Sequence, residues 1–160
     1  MNKKQVQKRV LQGGKPLALS KFTWCEKTKT FSSKENDLVI DFAGIWDCTF
    51  TTGGDCTFKT GGDCTFKTGE RCTFTVNGYL FPCAPLHFTG NRHDVFVNEP
   101  SKVSIGCHTL TVSDWLTKGP ALAKGNHYTE EQQTEYRLYI DMCKMWFDCY
   151  GGKIVPVEAA

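Results

Sequence analysis

Five side chains of this 160-residue sequence, Cys83, His87, His93, Cys107 and His108, are of the types that bind zinc or carry nucleophilic catalysis. Structural zinc modules show themselves as short-spaced pairs of Cys or His ligands, closing a tetrahedron. The spacings here match no such module, so no metal site is assigned. A cysteine nucleophile needs a histidine base within hydrogen-bonding reach and a third group to orient it. Cys107 and His108 are adjacent, and neighbours on a strand point to opposite faces, so they cannot serve each other. No catalytic residue is assigned and the chain is expected to be non-enzymatic. The Gly-Gly pairs at 53–54 and 61–62 lack the Gly-x-x-x-x-Gly-Lys-Ser/Thr spacing that cradles phosphate, and they differ from the calcium-binding nonapeptide. No cofactor is expected.

The remaining chemistry is charge. Net charge is only +2, but residues 1–35 hold nine basic and two acidic side chains, and the rest of the chain holds ten basic against fifteen acidic. Lys3, Lys4, Lys8 and Arg9 at the start, with Lys59, Lys67 and Arg71 further on, are the candidate contacts to an acidic protein or a nucleic acid. A DNA mimic is disfavoured, because residues 47–78 carry four acids against three bases. The basic start is followed by no apolar run, and no stretch approaches the roughly 20 apolar residues that cross a bilayer. The chain is therefore expected to be soluble, not exported and without membrane contact. Its nine cysteines are expected to be reduced thiols used as small buried groups.

Four of those cysteines sit on a strict period. The octads DCTFTTGG (47–54), DCTFKTGG (55–62), DCTFKTGE (63–70) and RCTFTVNG (71–78) align without gaps. A looser copy, VIDFAGIW (39–46), precedes them with Ile40 and Phe42 in the Cys and Phe places, and YLFPCAPL (79–86) ends the array. Cys and Phe lie two apart, so on a strand they share a face, with Thr on the other. The Gly-Gly-Asp that follows reads as a turn, with glycine accepting positive φ and Asp bonding its own backbone. Eight extended residues span about 26–29 Å at most, too short a loop to enclose two layers of side chains. Two octads per coil are expected, with Cys48 over Cys64 and Phe50 over Phe66 on one wall, and Cys56, Cys72, Phe58 and Phe74 on the other. Outward rows of Thr49, Thr57, Thr65 and Thr73, and of Thr51, Lys59, Lys67 and Thr75, follow. The predicted fold is mainly β, a short β-solenoid with further strands and a C-terminal α-helix. Its ends must be capped by flanking segments, or hidden by end-to-end dimerisation.

Residues 86–112 read as more β structure, with Val103, Ile105, Cys107, Leu110 and Val112 alternating and Asn98-Glu99-Pro100-Ser101 as a turn. Ser113 can cap a short helix around Trp115 and Leu116 that stops at Gly119-Pro120. Thr129-Glu130-Glu131-Gln132 is a capping box. Behind it Tyr136, Tyr139, Ile140, Cys143, Trp146, Phe147 and Tyr150 follow helical spacing up to Gly151-Gly152, a stripe expected to dock on the β body. The division expected is 1–35 as a basic segment, 36–112 as solenoid and following strands, and 113–160 as a helical segment.

The octad Cys-Thr-Phe-x-Thr-Gly resembles the repeat of small proteins of tailed bacteriophages, and SIGCHTLTVSDWL with NHYTEEQQTEYRLYI resembles the C-terminal segment such proteins share. The resemblance covers about residues 40–80 and 103–141. It implies a phage or prophage origin and action in the host cytoplasm, and it brings no catalytic residues. By analogy with anti-CRISPR proteins, the expected function is a non-enzymatic inhibitor that binds a host defence protein or ribonucleoprotein complex. The alternatives are a nucleic-acid-binding accessory protein acting through the basic N-terminus and a small virion component.

Overall fold

The computed structural model describes residues 1–157; residues 158–160, the end of the expected C-terminal segment, lie outside the described residues. In chain order the elements are α1 (Lys3–Gln7), β1 (Val10–Gln12), β2 (Lys15–Pro16), β3 (Phe22–Cys25), β4 (Thr30–Ser33), β5 (Leu38–Phe42), β6 (Thr49–Thr51), β7 (Thr57–Thr60), β8 (Thr65–Lys67), β9 (Thr73–Val76) and β10 (Tyr79–Phe81). Then come β11 (His87–Phe88), β12 (Val95–Glu99), β13 (Lys102–Ile105), β14 (His108–Thr111), α2 (Val112–Gly125), α3 (Glu130–Tyr150) and β15 (Val155–Pro156). The protein is strand-rich with a C-terminal helix. The chain divides into two compact units, Met1–Ala84 with the stretch from Val155 onward, and Pro85–Ile154. No helix among the described residues is long and apolar enough to cross a membrane.

In the first unit, strands of the octad array pair at twice the repeat length. β6 and β8 run parallel with Phe50 opposite Phe66, while β7 and β9 run parallel with Phe58 opposite Phe74. Parallel neighbours need a long connection between them, and the intervening octad supplies it. Successive octads therefore alternate between two sheets, ordered β3-β4-β6-β8 and β15-β10-β9-β7-β5-β1-β2. Between the sheets the rings interlock. Phe50 and Phe66 stack at 5.6 Å, Phe58 and Phe74 at 5.4 Å, and edge-on contacts at 5.0–5.6 Å link the two rows. Such geometries add to what burial alone contributes.

The turns work differently from the expectation. Positive φ falls on Asp47, Asp55, Asp63 and Arg71, at 55–59°, and not on the Gly-Gly pairs. Asp is among the few non-glycine residues that visit this region readily. The glycines are needed for space. A Cβ on Gly69 would lie 2.6 Å from the Gly54 nitrogen, and one on Gly62 would lie 2.3 Å from the Trp46 ring, which covers that turn. Cysteine has a role beyond size: the Cys56 and Cys64 thiols donate to the Gly54 and Gly62 carbonyls two residues back, at 3.2 and 3.4 Å.

The looser copy joins with a shifted alignment. Ile40 pairs with Phe58 and Phe42 with Thr60, so Ile40 takes the Phe place that Phe42 was expected to hold. The shift is by two residues, which leaves the same side chains facing inward. The extra length is absorbed in the corner Ala43-Gly44-Ile45-Trp46, where Gly44 has φ 71°. Residues 1–35 are part of this unit. β4 pairs in parallel with β6, placing Phe31 on Phe50, and β3 closes that sheet antiparallel to β4. β1 lies antiparallel to β5 and β10 antiparallel to β9, so antiparallel pairings flank the parallel core of the larger sheet.

In the second unit β11–β14 form an antiparallel sheet. Gly106 and Cys107 make the two-residue turn between β13 and β14, with Ile105 opposite His108 and Gly106 at φ 56°. Cys107 is thus an exposed turn residue and not a member of an apolar row. α2 is capped by Thr111, whose hydroxyl accepts from the Asp114 N–H, and it runs through Pro120 instead of stopping there. Proline removes one helix donor and crowds the preceding turn. Packing overrides that cost: Trp115 is buried and its Nε1 donates to the Val103 carbonyl at 2.7 Å. α3 starts in the Thr129–Gln132 capping box, and it buries Tyr136, Ile140 and Cys143.

Candidate functional site

The structure separates the basic residues singled out from sequence. Lys59 lies on β7 between Asp41 and Thr75, whereas Lys67 lies on β8 beside Thr51. They stand on different sheets and form no common row, because alternate octads occupy opposite walls. Arg71 is committed to a fork with Asp55, its Nε and Nη2 donating to the two carboxylate oxygens at 2.6 and 2.7 Å. That guanidinium holds the Asp55 carboxyl below its ordinary value. Lys3 sits 5.0 Å over the Phe22 ring and Arg9 donates to the Asp41 carbonyl, while Lys4 on α1 and Lys8 just after it are exposed. Lys8 and Arg9 border one shallow pocket and Arg9 reaches Asp41, the strand neighbour of Lys59, whereas Lys67 stands on the other sheet.

The zinc and thiol candidates are divided as well. Cys83 belongs to the first unit and the other four to the second. His87 stacks on Phe96 at 4.6 Å with its Nε2 3.5 Å from Asp94. His93, Cys107 and His108 border one cavity, yet among the described residues no three His, Cys, Asp or Glu side chains group so as to hold a metal ion. None of the nine cysteines is in a disulfide. Burial pushes the Cys143 thiol up to about 12, and hydrogen bonding to Cys64 together with burial pushes Cys48 up. Neither is a thiolate at neutral pH.

The surface that stands out is the outer face of α3. Leu138, Met142 and Met145 are 59%, 50% and 68% exposed, and Cys149 continues the line. Their steps of four, three and four residues place them on one side of the helix, opposite the buried Tyr136, Ile140 and Cys143. One flank carries the exposed ion pairs Arg137–Asp141 at 3.1 Å and Lys144–Asp148 at 2.7 Å. The other carries Trp146, whose ring meets Phe147 at 5.4 Å and Tyr150 at 5.5 Å. An apolar line flanked by self-neutralised charges repels neither acidic nor basic partners, and methionine adapts its shape to what it meets. The expected docking stripe covers only the inward side of this helix. The second stripe was visible in the same spacing, Leu138-x-x-x-Met142-x-x-Met145-x-x-x-Cys149.

No protein-family model, no curated protein and no solved structure matches the chain.

Proposed function

We propose that this is a phage-encoded, non-enzymatic binding protein that blocks a host defence complex, of the kind a CRISPR effector represents, by protein–protein contact. The octad array is read as a short β-solenoid of two octads per coil, a rigid support that loses little entropy on association. The observation that carries the reading is the line Leu138, Met142 and Met145, large apolar side chains held exposed on one face of a well-capped helix. Exposed apolar lines of this kind mark interaction sites more than solvated surface.

The test is retention of effector complexes from a nuclease-treated bacterial lysate on the tagged protein, compared with the double variant Leu138→Lys/Met145→Lys. The expected outcome is one effector complex held in near-equal amount by the native protein and lost from the variant, with circular dichroism unchanged. Equal retention by the variant would remove α3 from the interface. Retention that disappears with nuclease would shift the function to nucleic acid.

A further inference from the structure

We propose that the second unit holds a binding site for a small aromatic carboxylate, in the cavity between α2, α3 and the β13–β14 turn. The cavity has a volume of about 260 Å³, larger than the roughly 150 Å³ that accepts a benzene ring in an apolar protein interior. One or two fused rings fit it. Its wall is made of Ile105, Leu122 and Ile140 together with the rings of Trp115, Tyr128 and Tyr136. Space exists because α2 presents Gly119 and Ala123 to it at a spacing of four residues, where larger side chains would close the gap.

Three polar groups of the wall already have partners within the protein, so the ring portion of a ligand meets mostly apolar surface. Trp115 Nε1 donates to the Val103 carbonyl, Tyr136 Oη to the His93 carbonyl at 2.8 Å, and Gln133 Nε2 to the Tyr128 carbonyl at 3.0 Å. Charge then decides the rest. Among the described residues no Asp or Glu lines the cavity, whereas Arg137, His93 and His108 do. Arg137 gives only its Nε to Asp141, at 3.1 and 3.2 Å. Its Nη groups are left to take a carboxylate in the forked geometry that suits them. An aromatic body with one anionic group matches that combination; a cation does not.

Three probes with one ring system separate the terms: indole-3-acetate, neutral 3-methylindole and cationic tryptamine, titrated into the full chain while the Trp115 Nε1–H and Gly106 amide signals are followed by NMR. Saturable shifts are expected for indole-3-acetate, with 3-methylindole about tenfold weaker, the loss of one charge-assisted contact, and tryptamine weaker still. Arg137→Gln should bring indole-3-acetate down to the level of 3-methylindole. Ala123→Leu should abolish binding of both while leaving the Tm unchanged or raised, which separates a filled cavity from an unfolded one. Equal affinity for all three probes, or an Arg137→Gln variant that binds indole-3-acetate undiminished, would overturn the carboxylate assignment. Absence of saturable shifts with every probe, or unchanged binding in Ala123→Leu, would overturn the site itself.

Discussion

At the scale of single residues, the octad turns assign separate tasks to neighbours that look interchangeable in sequence. Asp63 takes φ 55° and Gly69 takes a close backbone approach. Asp63→Asn should therefore be tolerated, whereas Asp63→Val should cost about 1–2 kcal/mol, the strain of a bulky residue in the left-handed region. Gly69→Ala should cost about 1–3 kcal/mol because its Cβ meets backbone that cannot rotate away. Urea denaturation of the three variants checks the order. Thiol chemistry gives a second reading of the same scale. Cys25, Cys107 and Cys149 are exposed, and Cys48, Cys56, Cys64 and Cys143 are buried. Alkylation followed by mass mapping should mark the first group in the native state, Cys25 foremost because the Thr28 hydroxyl lowers its thiol, and the second only after unfolding. Cys143 also bears on alkaline stability. Its thiol ionises near its ordinary 9.0 in the unfolded chain and near about 12 when folded, so its contribution is fully present below pH 9 and is lost as pH rises through that window. Cys143→Ala should flatten the fall in stability between pH 9 and 12 relative to the native chain.

At the scale of elements, the same helix carries a structural face and a free one, and variants should tell them apart. Thr129 accepts from the Gln132 N–H and its own N–H is held by the Gln132 side chain. Thr129→Ala should cost about 1 kcal/mol of stability, the usual value of an N-cap. Leu138→Lys and Met145→Lys should each change stability by no more than about 0.5 kcal/mol, as solvent-facing positions do, while weakening partner binding. In the array, Phe58 is fully buried and Phe66 is only half-buried. Phe58→Ala should cost about 3–5 kcal/mol and Phe66→Ala distinctly less. Thermal and urea midpoints measure all of these, and equal costs at the two phenylalanines would mean that Phe66 is as enclosed as Phe58.

At the scale of the whole molecule, the larger sheet is assembled from distant parts of the chain. β15 returns after the second unit to pair with β10, Leu80 opposite Val155, and β1 lies beside β5 at the other end. These strands flank the parallel β5-β7-β9 core, and an open edge is a template for association. A chain ending after Lys153 should keep its circular dichroism but self-associate, with a mass by light scattering that rises with concentration where the native chain's does not. The division falls after Ala84 and not after residue 112 as expected. β11–β14 group with α2 and α3, so the strands that follow the array belong with the helices.

Several features are decided by the sequence alone. An even eight-residue period with Cys and Phe two apart dictates strands with one apolar face, and the pairing of Phe50 with Phe66 falls at twice that period. Thr129 through Gln132 and the aromatic spacing behind it dictate α3, because caps and 3.6-residue periodicity are local signals. Other features needed the tertiary structure. Phe31 pairs with Phe50 across a non-repeating segment, their rings tilted at 6.4 Å, with only the Thr30-Phe31 pair hinting at it. The two-residue shift that seats Ile40 on Phe58 depends on how the Trp46 corner fills space. Pro120 sits inside a helix whose Trp115 is held by the Val103 carbonyl, a contact that no local rule contains. The separation of Lys59 from Lys67 and the gathering of His93, His108 and Arg137 around one cavity have the same origin. Which side chains meet is set by long-range packing, and spacing along the chain specifies only the face each one takes.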